Sequence, residues 1–480
     1  IPVVRRQDSS AMAPGLAPAF CVPSGIPRYF LRKSEYGAPT ERRCSRPGCR
    51  RIRSSPTIRL SSSSSLSRQS FRCAVLGAGF AGLSVTWNLL QHIPKGMRLK
   101  IDIFDEVGIG GGASGVSGGL LHPYSPKVKL LWKGAECWNE CLKLLRISEA
   151  AAASGNSRWK AEECEQKFKG FIVRRRGILR PVMNLQNLNA LNGNALKCIE
   201  SCIIESVDKD TAQALVPKLS VPLGSAFYMP EALTINPQSY LQGLFLACEN
   251  MTKATSSMEF GKKEMCLHKE SIETLLELAE EYDAVVICVG AKATVLPELS
   301  ERLPLRTCRG VIADLQLPDD TAEAYPGGSP SILFNAWLAF QDSHSLRVGS
   351  TWEWDSIDHS SNVSAKEASG ALEELLGKAS SIYPPVKKWK FREARAGVRA
   401  MPPLTPSGPL PLIGRVDDLV GGRRRKCKYW LFGGLGARGL LYHAWLGKVL
   451  AEAMVCGREE AIPPELTSWR ESMLEKLING

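Results

Sequence analysis

The sequence predicts an α/β fold class, α+β when the whole chain is counted, and three stretches predict it. Cys73–Leu76 is a short apolar run suited to a buried parallel strand, and Ala81–Leu90 behind it has helical spacing. Tyr429–Phe432 followed by the apolar ladder Leu440, Leu441, Ala444, Trp445, Val449, Leu450 and Ala453 repeats that strand-to-helix order near the C-terminus. Between them, 305–355, including LRVGSTWEW, reads as antiparallel sheet.

The first strand and helix are joined by Gly77-x-Gly79-x-x-Gly82. Placed there, the glycines permit a tight turn, close approach of a pyrophosphate and close packing of helix on strand, and the helix N-terminus offers free N–H groups. A second strand, LKIDIFDE at 99–106, ends in two acids. Asp105 closes the strand and is the preferred acceptor for ribose hydroxyls, with Glu106 the competing choice. The PKGMR turn at 94–98 accounts for a glycine-to-acid separation longer than usual. An amphipathic helix is expected near 129–147, with strands at Phe171–Val173 and Ala226–Met229. Asn236 caps a helix that has Pro237 at its first position. EYDAVVICVGA at 281–291 is a buried strand ending in Gly290, and a further helix is expected near 365–382. Gly457 reads as the cap that ends the last helix.

GGGASGVSGG at 110–119 could be a flexible linker on composition alone. Its position argues otherwise. It follows the second strand, as Gly77–Gly82 follows the first and Gly433–Gly439 precedes the last helix. Three glycine stretches so placed would bring backbone against a long dinucleotide at its phosphates, its middle and its far ring.

Net charge is +13, but residues 1–70 carry ten of those charges. A strongly basic catalytic body is thereby excluded. The leader is rich in Arg, Ser and Pro, poor in acids and ends in SSSSSLSRQS, the composition of a transit peptide. The expected destination is the chloroplast, with mitochondrion or cytoplasm as alternatives. None of the cysteines forms a CxxC, so a reduced compartment and no metal are expected; Cys137/Cys141 and Cys198/Cys202 read as small packing residues on helices. The longest apolar run, 284–291, is too short for a membrane span. RRRKCK at 423–428 reads as a solvated loop rather than a phosphate contact.

VLGAGFAGLS, GGGASGVSGGLLHP, NPQSYL, DAVVICVGA, VGSTWE, AGVRAMPPLTPSGPLPLIG and GGLGARGLL together resemble the FAD-dependent oxidoreductases of the D-amino-acid oxidase and glycine oxidase type, from about 73 to 457. ASGVSGGLLHP and GLGARGLL are most similar to the FAD domain of the bacterial bifunctional enzyme that modifies the tRNA wobble uridine, although no methyltransferase domain precedes it here. The resemblance implies a Rossmann-like FAD-binding domain (71–160 with 232–300 and 395–480) interleaved with an antiparallel-sheet substrate domain (161–231 with 301–394). It implies FAD, rather than FMN, as cofactor. Gly77, Gly79 and Gly82 would meet its pyrophosphate, Asp105 its ribose, and Ser114, Gly118, Gly119 and Leu120 its ribityl and ring. Gly290 joins the cofactor set, and Gly436, Arg438, Gly439 and Leu440 would meet the pyrimidine end. Arg399 matches the arginine that grips a substrate carboxylate, though AMPPLTPSG departs from the usual sequence after it.

Amine oxidation by a flavin asks the protein for orientation and charge stabilisation rather than paired carboxylates or a Ser/His/Asp set. His122 is a candidate near the flavin; Tyr124 and Tyr228 are candidate hydroxyls. The expected activity is oxidation of a C–H next to nitrogen in a small carboxylate-bearing amine or amino acid, with oxygen or another electron acceptor. The alternatives are removal of a carboxymethyl group from a modified wobble uridine in tRNA, and a non-catalytic flavin- or RNA-binding protein.

Overall fold

The computed structural model describes residues 70–155, 171–185, 188–258, 260–318, 325, 327–421 and 426–470. The basic leader expected to be a transit peptide, Arg423 to Arg425 of the charge run, and 471–480 lie outside the described residues. The described residues all fall in one unit, Leu66–Gly480.

The apolar run that opens the body is β1 (Ser70–Leu76); it turns through glycine into α1 (Phe80–His92) and returns as β2 (Arg98–Phe104). β3 (Leu120–Leu121) leaves the long glycine run, and α2 (Gly134–Gly155) follows. That helix starts later than its periodicity suggests, because Val128 and Lys133 hold positive φ and break the backbone ahead of Gly134. A set of short elements comes next: β4 (Val173–Arg174), β5 (Ile178–Pro181), α3 (Leu188–Ala195), β6 (Glu205–Asp208), α4 (Lys209–Leu215), β7 (Ser225–Met229) and β8 (Leu233–Ile235). Within it, Cys198 and Cys202 flank a tight turn, Cys202 N–H donating to Ile199 O, rather than sharing a helix face. α5 (Pro237–Thr255) begins as the sequence predicts, the Asn236 side chain accepting from Ser239 N–H.

β9 (Lys263–His268) and β10 (Ala284–Ile287) lead to the long strand β11 (Arg306–Gln316). β12 (Ser331–Leu333), β13 (Trp337–Phe340), β14 (Ser345–Gly349) and β15 (Glu353–Trp354) follow, then α6 (Ala365–Ile382) and β16 (Lys390–Met401). A small hairpin, β17 (Leu404–Thr405) and β18 (Gly408–Pro409), precedes β19 (Leu412–Arg415), α7 (Asp417–Val420), β20 (Lys428–Gly433) and α8 (Gly439–Cys456). Gly457 caps α8 at φ 65°, where a Cβ would be strained.

Two large sheets result. One has the order β19-β20-β10-β1-β2-β9, parallel except for β19. Its central strands read as unbroken apolar runs because helices and loops cover both faces. The crossing of α1 and α8 is close enough that a Cβ on Gly447 would meet Ser84. The other sheet, β15-β11-β14-β13-β12-β5-β7-β6 with β16 on β11, is antiparallel apart from the β12–β5 pair. β11 and β16 pair from Arg306↔Met401 to Gln316↔Lys390, with an irregularity at Asp314/Leu315. A third sheet, β3-β8-β4, is small.

Candidate active site

A cavity of about 1090 Å³ runs between the parallel and antiparallel sheets. The carboxyl ends of β1, β2, β10 and β20 open onto it, where ligands bind in open parallel sheets. Gly77, Gly79, Asp105, Ser114, Gly118, Gly119, Leu120 and Gly290 line it, as do His122, Arg399, Gly436, Arg438, Gly439 and Leu440. Thus residues more than three hundred positions apart share one space. Gly82 alone of the nominated residues is not on the wall. A Cβ there would meet Gly77 O at 1.8 Å, so its part is to let α1 sit against the turn.

At the β1 end the first turn is tightly braced. Gly77 has φ +104°, and a Cβ on it would meet Cys288 O at 2.6 Å. Asp105 Oδ2 accepts from Ala78 N–H at 2.8 Å, and its Oδ1 accepts from Val107 and Gly108 N–H. Asp105 therefore fixes the turn as well as facing the cavity. The competing acid, Glu106, is paired with Lys292 on the 3-10 turn Gly290–Thr294. Ser114 Oγ accepts from Phe80 N–H at 3.1 Å and caps α1 from outside the helix.

The glycine run is no linker. Gly119 holds φ +73°, and a Cβ there would meet Ile235 O at 1.9 Å. A Cβ on Gly118 would enter the Trp337 ring, and one on Gly397 of β16 would meet Val116 and Ala113. The run is wedged between both sheets, and its lack of side chains is what lets them approach.

At the antiparallel-sheet end, the Cys308↔Arg399 register lays the Arg399 side chain across Gly310, where a Cβ would occupy the guanidinium's place. Arg399 Nη2 donates to Ser350 Oγ at 3.0 Å and to Thr351 O at 3.1 Å, and the guanidinium stacks over Trp352 at 4.1 Å. No carboxylate among the described residues pairs with it, and burial lowers its pKa. Arg438, at the start of α8, makes no side-chain hydrogen bond or ion pair among the described residues, and burial lowers its pKa too. His122 is 4% exposed. Burial first, then Arg438 and Arg180, hold its pKa well below the usual imidazole value, and its Nδ1 accepts from Tyr124 N–H at 3.3 Å. It is a neutral imidazole at pH 7.

The two tyrosines do not reach the cavity wall. Tyr124 is buried, donates to Cys202 O and accepts from Ile199 N–H, so it holds the turn between the cysteines. Tyr228 lies with its hydroxyl 3.5 Å from Arg176 O.

Sequence reading missed several wall residues. Trp337 supplies a flat ring against Gly118, and the loop 359–362 brings His359 to the wall. That loop is pinned by Arg309, 2% exposed, which donates to Ser360 O and Asn362 O and pairs with Glu367. No local pattern marks these positions, since each reaches the wall through strand pairing. One further cluster, Asp102, Cys266 and His268, lies on the outer part of the β2–β9 edge, where Asp102 already accepts from His268, Tyr282 and Lys100.

A parallel sheet with glycine turns at its carboxyl edge, two helix N-termini (α1 and α8) facing one cavity and two guanidinium groups without anions define a dinucleotide-binding α/β protein. These residues fit FAD. The Cβ-free floor admits a diphosphate, and the cationic far end suits the ring edge that gains negative charge on reduction. The model for FAD-dependent oxidoreductases of the DAO type matches residues 72–453, and the chain belongs to that family. It is an FAD-dependent oxidoreductase.

Among curated relatives, a provisionally named thiamine biosynthesis oxidoreductase, ThiO, from Rhizobium etli is 23% identical over 342 residues, which span 68% of this chain and 84% of that protein. Glycine oxidase from Geobacillus kaustophilus superposes with a TM-score of 0.60 at 17% identity, covering 83% of this chain and 98% of that one. Iminodiacetate oxidase from a Chelativorans species gives 0.58 at 19%, covering 82% and 98%. At these identities the two solved structures show a shared fold. No described helix is long and apolar enough to cross a membrane.

Proposed function

We propose that the protein oxidises a C–H next to nitrogen in a small, carboxylate-bearing amine or amino acid. Arg399 carries this reading: a cavity-facing guanidinium, oriented by Ser350, Thr351 and Trp352, with no carboxylate of its own. FAD, when bound, supplies the acceptor for the hydride. Arg399 would hold the substrate carboxylate bidentately and so fix which C–H is presented. Neutral His122 adds no positive charge beside the amine, which must be unprotonated to react. Arg438 and the N-terminus of α8 offer positive potential at the end of the cavity where the glycine turn 433–439 lies. The names of ThiO, glycine oxidase and iminodiacetate oxidase support an amine or amino-acid substrate.

The test is anaerobic bleaching of the flavin by glycine and N-methylglycine. Arg399→Ala should then reduce kcat/KM by about 2–5 kcal/mol of lost positioning, with FAD content unchanged. Unaltered kinetics in that variant would remove Arg399 from the site.

One observation favours the tRNA reading as second. Trp352 and Trp354 are 47% and 45% exposed, lie 5.9 Å apart and alternate with Arg399 and Arg306 at the rim. Such aromatic and arginine faces stack nucleobases. Bleaching by tRNA carrying carboxymethylaminomethyl uridine, and by neither small amine, would promote it.

A further inference from the structure

Arg180 and Arg438 bring two guanidinium groups to one end of the cavity with no anion between them. Arg180 lies on β5, and β12 runs parallel beside it in the register Ser331↔Ile178 and Ile332↔Leu179. Continued by one residue, this places Leu333 next to Arg180, and Leu333 to Trp337 line the cavity. Thr234 Oγ1 and Ser331 Oγ, 2.8 Å apart, tie β12 to β8, whose partner β3 leads directly to His122. Strand pairing thus assembles Arg180, His122 and Arg438 from three distant parts of the sequence.

Neither guanidinium has a hydrogen bond or ion pair among the described residues. The chain treats its other buried arginines differently: Arg309 is matched by Glu367 and Asp358, and Arg347 by Asp314. The carboxylates on the cavity wall that would be nearest in charge are engaged elsewhere, Asp105 by three backbone N–H groups and Glu106 by Lys292. Burial and then Arg438 push Arg180 down to about 10, and both arginines help to keep His122 neutral. Two like charges out of bulk water are mutually repulsive, and an anion placed between them removes that repulsion.

We propose that this corner is a second anion subsite, and that the amine oxidised here carries a second carboxylate beyond the one held by Arg399. The inference rests on the amine-oxidase reading above and narrows its substrate class to dicarboxylic amines.

Two measurements on the holoenzyme test it. The first is the ratio of kcat/KM for iminodiacetate to that for N-methylglycine, in the wild type and in Arg180→Ala, Arg180→Gln and Arg180→Lys. The wild type should favour iminodiacetate, the ratio should fall ~30-fold in the Ala and Gln variants, and Lys should restore part of it. FAD content confirms that each variant is folded. The second is the perturbation of the flavin spectrum by oxydiacetate and by methoxyacetate, ethers that cannot be oxidised as amines. Oxydiacetate should act at lower concentration, and Arg180→Ala should erase the difference.

A ratio and an ether preference that survive Arg180→Ala overturn the subsite. So does a changed flavin reduction potential with an unchanged ratio, since Arg180 would then serve the cofactor. If no small amine bleaches the flavin, the oxidase reading fails, while the ether titration still decides whether a second anion binds.

Discussion

His443 is neutral in the fold because its surroundings complete the hydrogen bonds of a neutral ring. Its Nδ1 lies 3.0 Å from Leu440 O, a pure acceptor, so Nδ1 carries the proton and Nε2 accepts from the Tyr240 hydroxyl at 2.7 Å. Burial pushes its pKa down to about 4, while the unfolded chain titrates near the ordinary imidazole value of ~6.5. A depressed folded pKa means that the unfolded state binds the proton more readily. The stability is fully present above ~6.5 and is lost as pH falls toward 4, by about 3 kcal/mol at most. Buried His122 acts in the same direction. Denaturant midpoints should therefore fall between pH 7 and 4.5, and His443→Gln should flatten that dependence. At the glycine turn, Gly79→Val should yield colourless protein. Even a Cβ there meets Ser114 Oγ at 2.8 Å, and the added methyls would fill the space of a phosphate. A yellow Gly79→Val protein would mean that FAD does not lie on this turn.

The loop 358–362 and the start of α6 depend on one side chain from another strand. Arg309 of β11 holds the loop carbonyls and Glu367 in the first turn of α6, whose N-cap Ser364 accepts from Glu367 N–H. Arg309→Met keeps much of the volume but leaves Glu367 and the carbonyls without their donor. The expected loss is about 3–5 kcal/mol, as for breaking a buried ion pair. Amide exchange should accelerate mainly across 356–368, because β11 itself stays paired with β14 and β16. Uniform acceleration across both sheets would instead make Arg309 part of the global core. The element boundaries tell a related story. Asn236 and Pro237 announce α5 locally, whereas α2 is displaced from its apolar periodicity by positive-φ residues that its sequence does not advertise.

At the scale of the molecule, the described fold needs nothing from the leader, since both sheets are complete from Ser70 onward. Residues 71–480 expressed alone should purify yellow, and the flavin released on heating should be FAD rather than FMN. A cavity running from the first glycine turn to α8 has a place for the adenosine half as well as the ring. Colourless protein that takes up no flavin would contradict this. For the leader, the proposed destination is the plastid. Residues 1–70 fused to a reporter should direct it there, on account of ten net positive charges and a serine-rich, acid-poor composition. Diffuse cytosolic signal would refute that address.

The glycine turns, the apolar strands beside them and the FAD assignment were legible in the sequence, because backbone approach and strand burial impose local residue types. Their spacing along the chain was enough to show that GGGASGVSGG belongs to a site. What the sequence by itself determined is therefore the floor of the cavity: Gly77, Gly79, the 110–119 run and the α8 turn. The tertiary structure alone decided the roof and the charge. β11–β16 register sends Arg399 across Gly310, β12–β5 pairing brings Arg180 toward Arg438 and His122, and Asp105 turns out to brace the turn that it faces. Those outcomes depend on strands distant in the chain meeting in one particular register, and a register leaves no mark on the residues at either end.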